Sequence, residues 1–407
     1  MEAGATAFNC APWFDRIATP MKGVTMGKRV LRTSLCDMLD IEYPIMSAGM
    51  GPNTLSEQVG APVDLVVAVS EAGGLGVLGA SGYTIDELRD AIHEIRERTD
   101  KPFGVDILLP KNIADMGGMG DASEVPLSQL LETLPQEYQD FVAKLRKDLD
   151  LPVVEVIVKV DTTTMRPKEA VAVCIEEKIP LFCAGLGNPD WMVEEAHANG
   201  VKVLAITGNS KNAKRMAAGG IDLLVAQGHE AGGHTGRIGT MALIPTCIDA
   251  AYPVPVLAAG GIGDGRGVAG ALAMGCIGVW IGTRFLATDE GGAQDAIKRH
   301  IVEATDESTC VSTVFTGKTL RAIRSKFHEA WEESGLTALP FPLQIFVSSA
   351  LFGSFIEANE DAYIGGFAGQ ASGMIHEIKP AGEVLLDMVG EAADILTHKL
   401  PESVHAE

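Results

Sequence analysis

The sequence predicts an α/β protein built on a (β/α)8 TIM barrel, with a smaller, mostly helical second domain. Between residues 43 and 281, short apolar runs recur eight times, and the segments that follow them mostly have helical periodicity. Glycine-rich turns follow several of these runs. Eight strands that alternate with helices are more typical of a closed barrel than of an open sheet, and such a barrel takes up about 250 residues.

The eight predicted strands share a short length and an apolar character. They cover residues 43–48, 75–79, 103–108, 180–184, 201–206, 222–226, 254–259 and 277–281. The main predicted helices share apolar residues three or four positions apart, and they cover 64–72, 84–98, 168–178, 189–199, 210–218, 240–250, 263–274 and 289–304. Thr84, followed three residues later by Glu87, predicts a capping box at the start of the helix over 84–98.

The periodicity divides the chain into three parts. Residues 1–40 carry little periodicity and are expected to form an N-terminal arm. Residues 41–304 form the predicted barrel, interrupted at 111–150 by a glycine- and methionine-rich loop and a charged, helix-prone segment. Residues 305–407 lack the strand–helix alternation, so we expect a mostly helical region that caps the barrel together with the 111–150 excursion.

Composition narrows the class of protein. The formal charge of −22 disfavours nucleic-acid and anionic-membrane partners, because their phosphates would be repelled. Seven cysteines are scattered without a CxxC pair, a pattern typical of reduced thiols in the cytosol. The sequence shows no apolar leader and no run of apolar residues long enough to cross a membrane. We therefore expect a cytoplasmic enzyme that acts on a small molecule, and a homodimer is compatible with the sequence.

The stretch 226–236 is the main candidate for a reaction centre. It follows the predicted strand over 222–226 and contains four glycines and two histidines. Glycines let the backbone approach a ligand closely, and catalytic groups of (β/α)8 barrels lie at the carboxyl ends of the strands. We expect His234 to be the catalytic acid or base, and His229 to line the loop.

Two further glycine-rich turns follow the seventh and eighth predicted strands. The first contains Gly260 and Gly261, and the second contains Gly282 and Thr283. Phosphate groups commonly bind at these two loops in (β/α)8 barrels, where backbone N–H groups and a helix N-terminus favour an anion. The pattern indicates a phosphorylated cofactor. The alternative is that these glycines only form tight turns.

Two other patterns compete with this interpretation. Residues 265–270 match GxGxxG, and Asp289 follows roughly 20 residues later, as in dinucleotide-binding folds. Six strand–helix units precede that pattern, however, and Gly260 lies nearer the end of the strand. His229 and His234 imitate the HExxH zinc motif, but they are five residues apart and adjacent glycines disfavour the helix that the motif needs.

The reaction-centre stretch resembles a family signature. It contains the run Gln227-Gly228-x-Glu230-Ala231-Gly232-Gly233-His234-x-Gly236, which is similar to the signature of the nitronate monooxygenases, formerly called 2-nitropropane dioxygenases, and their flavin-dependent enoyl-ACP reductase relatives. The resemblance covers roughly residues 40–390. Its other segments are Pro44-Ile45-Met46-Ser47-Ala48-Gly49-Met50, Gly73-Gly74-Leu75-Gly76, Ala259-Gly260-Gly261-Ile262, Gly282-Thr283-Arg284-Phe285, Thr316-Gly317-x3-Arg321-Ala322-x-Arg324 and Ala368-Gly369-Gln370-x2-Gly373.

The resemblance implies that FMN lies across the barrel mouth, with its phosphate at the two later glycine turns and its ring against residues 48–50. His234 would face the substrate side of the flavin. Asp106 departs from the family pattern, because relatives usually have an asparagine there. A carboxylate would disfavour electron-rich flavin unless it were protonated or paired. The residues that we therefore assign to the cofactor are Ala48, Gly49, Met50, Asp106, Gln227, Gly232, Gly233, Gly260, Gly261, Gly282 and Thr283.

Three functions remain open at this point. The first is FMN-dependent oxidation of alkyl nitronates or nitroalkanes by O2, with no metal. The second is an NAD(P)H-dependent flavin reductase acting on an enoyl thioester or another activated alkene. The third is a non-redox barrel, such as a phosphosugar isomerase or a binding protein, that uses the same phosphate loops.

Overall fold

The computed structural model describes residues 31–51, 60–109, 124–159 and 161–405. The predicted arm over 1–40 therefore lies mostly outside the described residues, and so does much of the loop that begins the 111–150 excursion. The strands in the described part of the chain are β1 (Ile45–Ser47), β2 (Gly76–Gly79), β3 (Phe103–Leu108), β4 (Glu124–Pro126), β5 (Ile157–Lys159), β6 (Leu181–Leu186), β7 (Lys202–Thr207), β8 (Leu223–Gln227), β9 (Gly233–His234), β10 (Val256–Ala259), β11 (Gly278–Ile281), β12 (Thr309–Ser312) and β13 (Leu320–Ile323).

Eight parallel strands form the predicted barrel. Their order is β2-β3-β6-β7-β8-β10-β11-β1. The backbone N–H of Leu75 donates to Ile45 O at 3.0 Å, and Ser47 N–H donates to Leu75 O at 3.0 Å, which joins the first strand to the segment before the second. These are the eight strands that periodicity identified, so the predicted fold class is confirmed. Because all eight run in one direction, their carboxyl ends form a single rim.

Helices cover the outside of the barrel. Every predicted barrel helix has a counterpart, although several ends move by a few residues. The helices are α1 (Ser34–Leu39), α2 (Val63–Glu71), α3 (Ile85–Arg98), α4 (Leu127–Glu132), α5 (Gln136–Asp148), α6 (Pro167–Glu176), α7 (Val193–Ala198), α8 (Ser210–Ala218), α9 (Thr240–Ala251), α10 (Gly265–Ala273), α11 (Thr283–Leu286), α12 (Asp295–Glu303), α13 (Lys326–Ser334), α14 (Leu343–Glu357), α15 (Ala381–Asp394) and α16 (Leu400–Ser403).

Local sequence explains where two of these helices begin. The capping box before α3 is present, since Thr84 Oγ1 accepts from Glu87 N–H at 3.2 Å and Glu87 Oε2 accepts from Thr84 N–H at 2.8 Å. The helix predicted over 289–304 begins later, at Asp295. A turn precedes this helix, and in it the Gly291 N–H donates to Thr288 Oγ1. A side chain at Gly291 would collide with the carbonyl oxygen of Leu286.

The sequence predicted a mostly helical region over 305–407, and the structure adds two short strands there that the prediction did not include. β12 pairs with β13, and β13 pairs with β9 from the 226–236 stretch, so that Leu320 lies opposite His234 and Arg321 lies opposite Gly233. These strands have two to four residues and are not followed by barrel helices, so neither period 2 nor strand–helix alternation reveals them. The small sheet fixes the position of the reaction-centre stretch.

The described residues form three apolar clusters, the largest of which packs the barrel strands against their helices. The barrel interior is filled by side chains such as Met46, Val77 and Leu257, so it is a packed core rather than a channel. A separate cluster joins α5 to the C-terminal helices, where the ring centroids of Phe141 and Trp331 lie 5.1 Å apart. Within the described residues, no helix is long and apolar enough to span a bilayer.

Candidate active site

One large cavity opens at the carboxyl-terminal rim of the barrel. Its volume is about 1350 Å3. Each residue that the sequence assigned to the site lines this cavity, although the segments involved are spread over more than 230 positions of the chain. These residues are Ala48, Gly49, Met50, Asp106, Gln227, Gly232, Gly233, His234, Gly260, Gly261, Gly282 and Thr283.

The loop after β8 places the imidazole of His234 on the cavity wall. Gly233 has φ +70°, a left-handed conformation that favours glycine, and it directs the chain into the short strand paired with β13. The side-chain amide of Gln227 donates through Nε2 to the carbonyl of His234 at 2.8 Å. Strand pairing on one side and this side-chain bond on the other hold the backbone of His234, so the ring position is well defined.

The ring of His234 contacts a hydroxyl and an aromatic ring. Its Nε2 lies 3.1 Å from Thr316 Oγ1, and its ring meets the ring of Phe341 edge-on with centroids 6.5 Å apart. Burial, and after it the positive charge of Lys318, lower the pKa of His234 from 6.5 to about 4. The imidazole is therefore neutral at pH 7, which makes it a hydrogen-bonding group and a base rather than a cation.

His229 has a structural position instead. Its Nδ1 lies 2.8 Å from the carbonyl of Gly236, its N–H donates to Ile238 O, and its own carbonyl accepts from Arg321 Nε at 3.1 Å. These bonds close the loop around the reaction-centre stretch. The rings of His229 and His234 bond to different partners, as expected if the HExxH-like spacing is accidental.

The second of the two later glycine turns leaves open space in front of its backbone, whereas the first is closely packed. Gly260 and Gly261 have φ +93° and +74°, and a Cβ at Gly260 would lie 3.0 Å from Gly228 O. A Cβ built at Gly282 would meet no protein atom closer than 3.6 Å. The hydroxyl of Thr283 accepts from Gly369 N–H at 2.9 Å, which ties the second turn to the C-terminal region. Backbone groups at these turns can therefore contact a ligand without interference from side chains.

Helix ends contribute less to an anion site here than expected. The N-terminus of α10 is capped by Asp264, whose Oδ1 accepts from Arg266 N–H at 3.0 Å, so a carboxylate already lies there. The helix α11 after Gly282 has only four residues, too short for a large dipole. The guanidinium of Arg284 is buried away from the turn and donates to Ala287 O and Glu377 O. An anion at these turns would depend on peptide N–H groups.

The competing GxGxxG pattern has a packing role. Gly265, its first glycine, opens α10, and a Cβ there would lie 2.7 Å from Met388 O and 2.6 Å from Ala392 N of α15. The glycine thus allows two helices to approach closely. With the capping carboxylate of Asp264 next to it, this helix start is not built to receive a dinucleotide phosphate.

Asp106 brings a buried, formally acidic group to this wall. It lies near the carboxyl end of β3 and is 6% exposed. Its Oδ1 has no hydrogen-bond partner among the residues that the structure describes. Burial raises the pKa of Asp106 to about 8, while a hydrogen bond from the backbone of Gly185 opposes that rise. The carboxyl is therefore mostly protonated at neutral pH.

Sequence reasoning missed the far wall of the cavity. Thr316 was part of a quoted family segment but received no role, and Phe341 gave no signal at all. Apolar residues of α14 and of the segment before α6 complete this wall, and no local pattern distinguishes them from ordinary core residues. They include Val154, Val156, Val158, Ile345, Phe346 and Ile356.

Known proteins share this architecture. Rv1533 of Mycobacterium tuberculosis, whose name places it among the monooxygenases, is 35% identical over 391 residues, which cover 89% of this chain and 97% of that protein. FabK from Thermotoga maritima is 32% identical with a TM-score of 0.70, covering 92% of this chain and 100% of that one. Nitroalkane oxidase from Streptomyces ansochromogenes is 27% identical with a TM-score of 0.73, covering 90% and 99%.

The family model described as nitronate monooxygenase matches residues 32–391, which is most of the chain. The match includes the barrel, the 226–236 stretch, both glycine turns and the small sheet that contains β9. It removes the support for a non-redox barrel that the phosphate loops alone left open. The chain therefore belongs to the nitronate monooxygenase family and is an oxidoreductase.

Proposed function

We propose that this protein is an FMN-dependent enzyme that oxidises alkyl nitronates, and more slowly the parent nitroalkanes, with O2. The observation that carries the proposal is the position of His234. Its half-buried, neutral imidazole faces the same cavity as the two glycine turns and residues 48–50. A redox cofactor and a neutral acid–base group would thus meet around one substrate.

The cavity fits FMN in three respects. Its volume of about 1350 Å3 exceeds that of ordinary ligand sites, which leaves room for a cofactor and a substrate together. The open space at Gly282 suits a phosphate approached by backbone N–H groups. The Oδ1 of Asp106 has no hydrogen-bond partner among the described residues, and a heteroatom of the flavin ring could supply one. When bound, the flavin would supply the electron transfer from the nitronate and on to O2, which the side chains cannot perform.

The hydrogen bonds of Thr316 favour a proton on Nε2 of His234. The hydroxyl points to Lys318 O at 3.4 Å, and its oxygen accepts from Lys318 N–H at 3.3 Å. The remaining lone pair can accept from His234 Nε2–H at 3.1 Å. In this arrangement Nδ1 keeps its lone pair, and it is the atom that would remove the α-proton of a nitroalkane.

The low pKa of His234 favours the anionic substrate. A base with a pKa of about 4 is poorly matched to proton removal at neutral pH, whereas a preformed nitronate needs no proton removed. A neutral ring also leaves the nearby Lys318 as a source of positive charge, with its Nζ 4.3 Å from the centroid of the Phe341 ring. We therefore expect higher kcat/KM for a nitronate than for its neutral parent.

Two measurements test this proposal. Flavin released from the purified protein should co-migrate with FMN rather than FAD, at about one molecule per chain. O2 uptake should then be faster with an alkyl nitronate than with the nitroalkane of the same carbon skeleton. A protein that carries FMN but consumes no O2 with either substrate would refute the proposed activity.

The far wall of the cavity favours a second candidate function. Its apolar side chains, such as Ile345, Phe346 and Val156, extend the cavity beyond what a small nitro compound needs. An NAD(P)H-dependent reductase of an enoyl thioester or another activated alkene would use that space for an acyl chain. Rapid, NAD(P)H-dependent consumption of such an alkene, without O2 uptake on nitronates, would favour this function over the first.

A further inference from the structure

Asp106 carries a chemical role that the proposed acid–base step does not use. Its side chain is almost completely buried, and its Oδ1 has no hydrogen-bond partner in the described part of the chain. An ionised carboxylate in such a position costs several kcal/mol unless a cation or several donors compensate it. The carboxyl must therefore stay neutral or gain a partner from outside the chain.

Among the residues that the structure describes, the neighbours of Asp106 supply no compensating cation. On the two adjacent strands, the residues opposite it are Gly79 of β2 and Cys183 of β6. Cys183 is the titratable group that faces it, and burial together with the nearby carboxyl raises the pKa of that thiol so far that it is also neutral. No charged side chain contributes to the shift of the pKa of Asp106, which burial and the backbone of Gly185 account for.

Two glycines let the carboxyl reach the cavity. A Cβ at Gly49 would overlap with the side chain of Asp106, and a Cβ at Gly185 would lie 2.6 Å from its Oδ1. Small residues on both sides therefore leave the carboxyl in a slot on the cavity wall, beside residues 48–50 and at the edge of the space assigned to the cofactor.

We propose that Asp106 is held as a neutral carboxylic acid that donates a hydrogen bond from its O–H to an acceptor atom on the ring of the bound cofactor. This inference rests on the proposed flavin. The same device, a carboxylic acid kept protonated in an apolar site so that it can donate, is established in other enzymes. A donor at that position stabilises the electron-rich ring, whereas the ionised form would repel it.

The pH dependence of the flavin midpoint potential tests this role. The reduced ring holds the Asp106 proton more tightly, so reduction should take up one extra proton above the pKa of Asp106, near pH 8. The wild-type potential should then fall by about 30 mV more per pH unit than that of Asp106→Asn, because a tenfold change corresponds to about 30 mV for a two-electron couple. Asp106→Asn keeps a donor of similar size but cannot ionise.

A matched control is Asp90→Asn, which removes an exposed carboxylate at the same cavity and should retain the wild-type slope. Infrared spectroscopy gives a second readout, which works even if the variant does not bind flavin. Wild-type protein near pH 6.5 should show the C=O band of a buried protonated carboxyl, and this band should be absent from Asp106→Asn. Parallel potentials for wild type and Asp106→Asn up to pH 10, or absence of the band, would overturn the proposal. Loss of nitronate oxidation in a protein that passes both tests would refute only the proposed activity.

Discussion

The chemistry at single residues depends on two groups of the cavity wall, His234 and Asp106, that are neutral at pH 7. His234 is neutral because burial removes the water that would stabilise its cation. Asp106 is neutral because burial raises its pKa and no cation among the described residues compensates its charge. One lies on the small sheet beside the barrel and the other on β3. A neutral base and a neutral acid on the wall of one cavity suit a reaction in which the substrate itself carries the negative charge.

Replacing His234 by asparagine should separate proton removal from electron transfer. The variant loses the basic Nδ1 but keeps a polar side chain, so we expect FMN to remain bound and turnover of neutral nitroalkanes to fall by about 100-fold or more, the usual contribution of a general base. Turnover of preformed nitronate should fall far less. His376→Asn, at an exposed histidine, is the matched control. Equal losses on both substrates would show that His234 has another role.

Removing the charge of Lys318 should shift the acid limb of the pH profile. Lys318→Met eliminates the second cause of the low pKa of His234, so that pKa should rise, but stay below 6.5 because burial is the larger cause. Since the neutral ring is the active base, kcat/KM for a nitroalkane falls as the pH drops through this pKa, and the fall should begin at a higher pH in the variant. Lys318→Arg should keep the wild-type profile. An acid limb that does not move would contradict the coupling of these two residues.

At the scale of secondary-structure elements, the site depends on turns that follow strands. Gly260, Gly261 and Gly282 come after β10 and β11, and the pattern of a strand followed by glycine is visible in the sequence. The pairing of β9 with β13 is not visible, because a strand of two residues shows no period. The segments that pair are separated by more than 80 positions, and only the assembled molecule places Thr316 against His234.

Alanine at Gly282 should weaken flavin binding without weakening the fold. The φ of this residue is negative and a Cβ would meet no protein atom within 3.5 Å, so the melting temperature should be unchanged. If the phosphate contacts this backbone, loss of a charge-assisted hydrogen bond should raise the Kd for FMN by about 10- to 100-fold. Gly270→Ala, at an open position of α10, should lower neither the melting temperature nor the affinity for FMN. Unaltered FMN binding in Gly282→Ala would place the phosphate elsewhere.

The helices of the 111–150 excursion should contribute to the stability of the C-terminal region. Phe141 of α5 is buried against Trp331 and Phe327 of α13, with ring centroids 5.1 and 6.4 Å away. Phe141→Ala should lower the free energy of unfolding by about 3 to 5 kcal/mol, the usual cost of deleting a buried aromatic ring. Leu386→Ala, at a half-exposed position, should cost less than about 1 kcal/mol. Denaturant titration measures both losses. If the excursion were only loosely attached, Phe141→Ala and Leu386→Ala would lower the free energy of unfolding by similar amounts.

At the scale of the whole molecule, the sequence was sufficient for the barrel and for one side of the site. Strand periodicity identified all eight strands, and residues such as Gly261 and His234 line the cavity because barrel strands carry their functional groups at one end. The opposite wall could not be predicted, since Phe341 and Ile345 become site residues only through the packing of the C-terminal region over the rim. We expect substrate size and specificity to depend on this wall, which would explain why motifs separate oxidase from reductase poorly.

Anaerobic stopped-flow mixing tests the central claim most directly. The flavin-loaded protein would be mixed in separate experiments with an alkyl nitronate and with NADH, while the flavin absorbance is followed. The proposed function predicts rapid bleaching by the nitronate and little bleaching by NADH on the same timescale. Rapid bleaching by NADH, with none by the nitronate, would contradict it and identify the protein as a nicotinamide-dependent reductase.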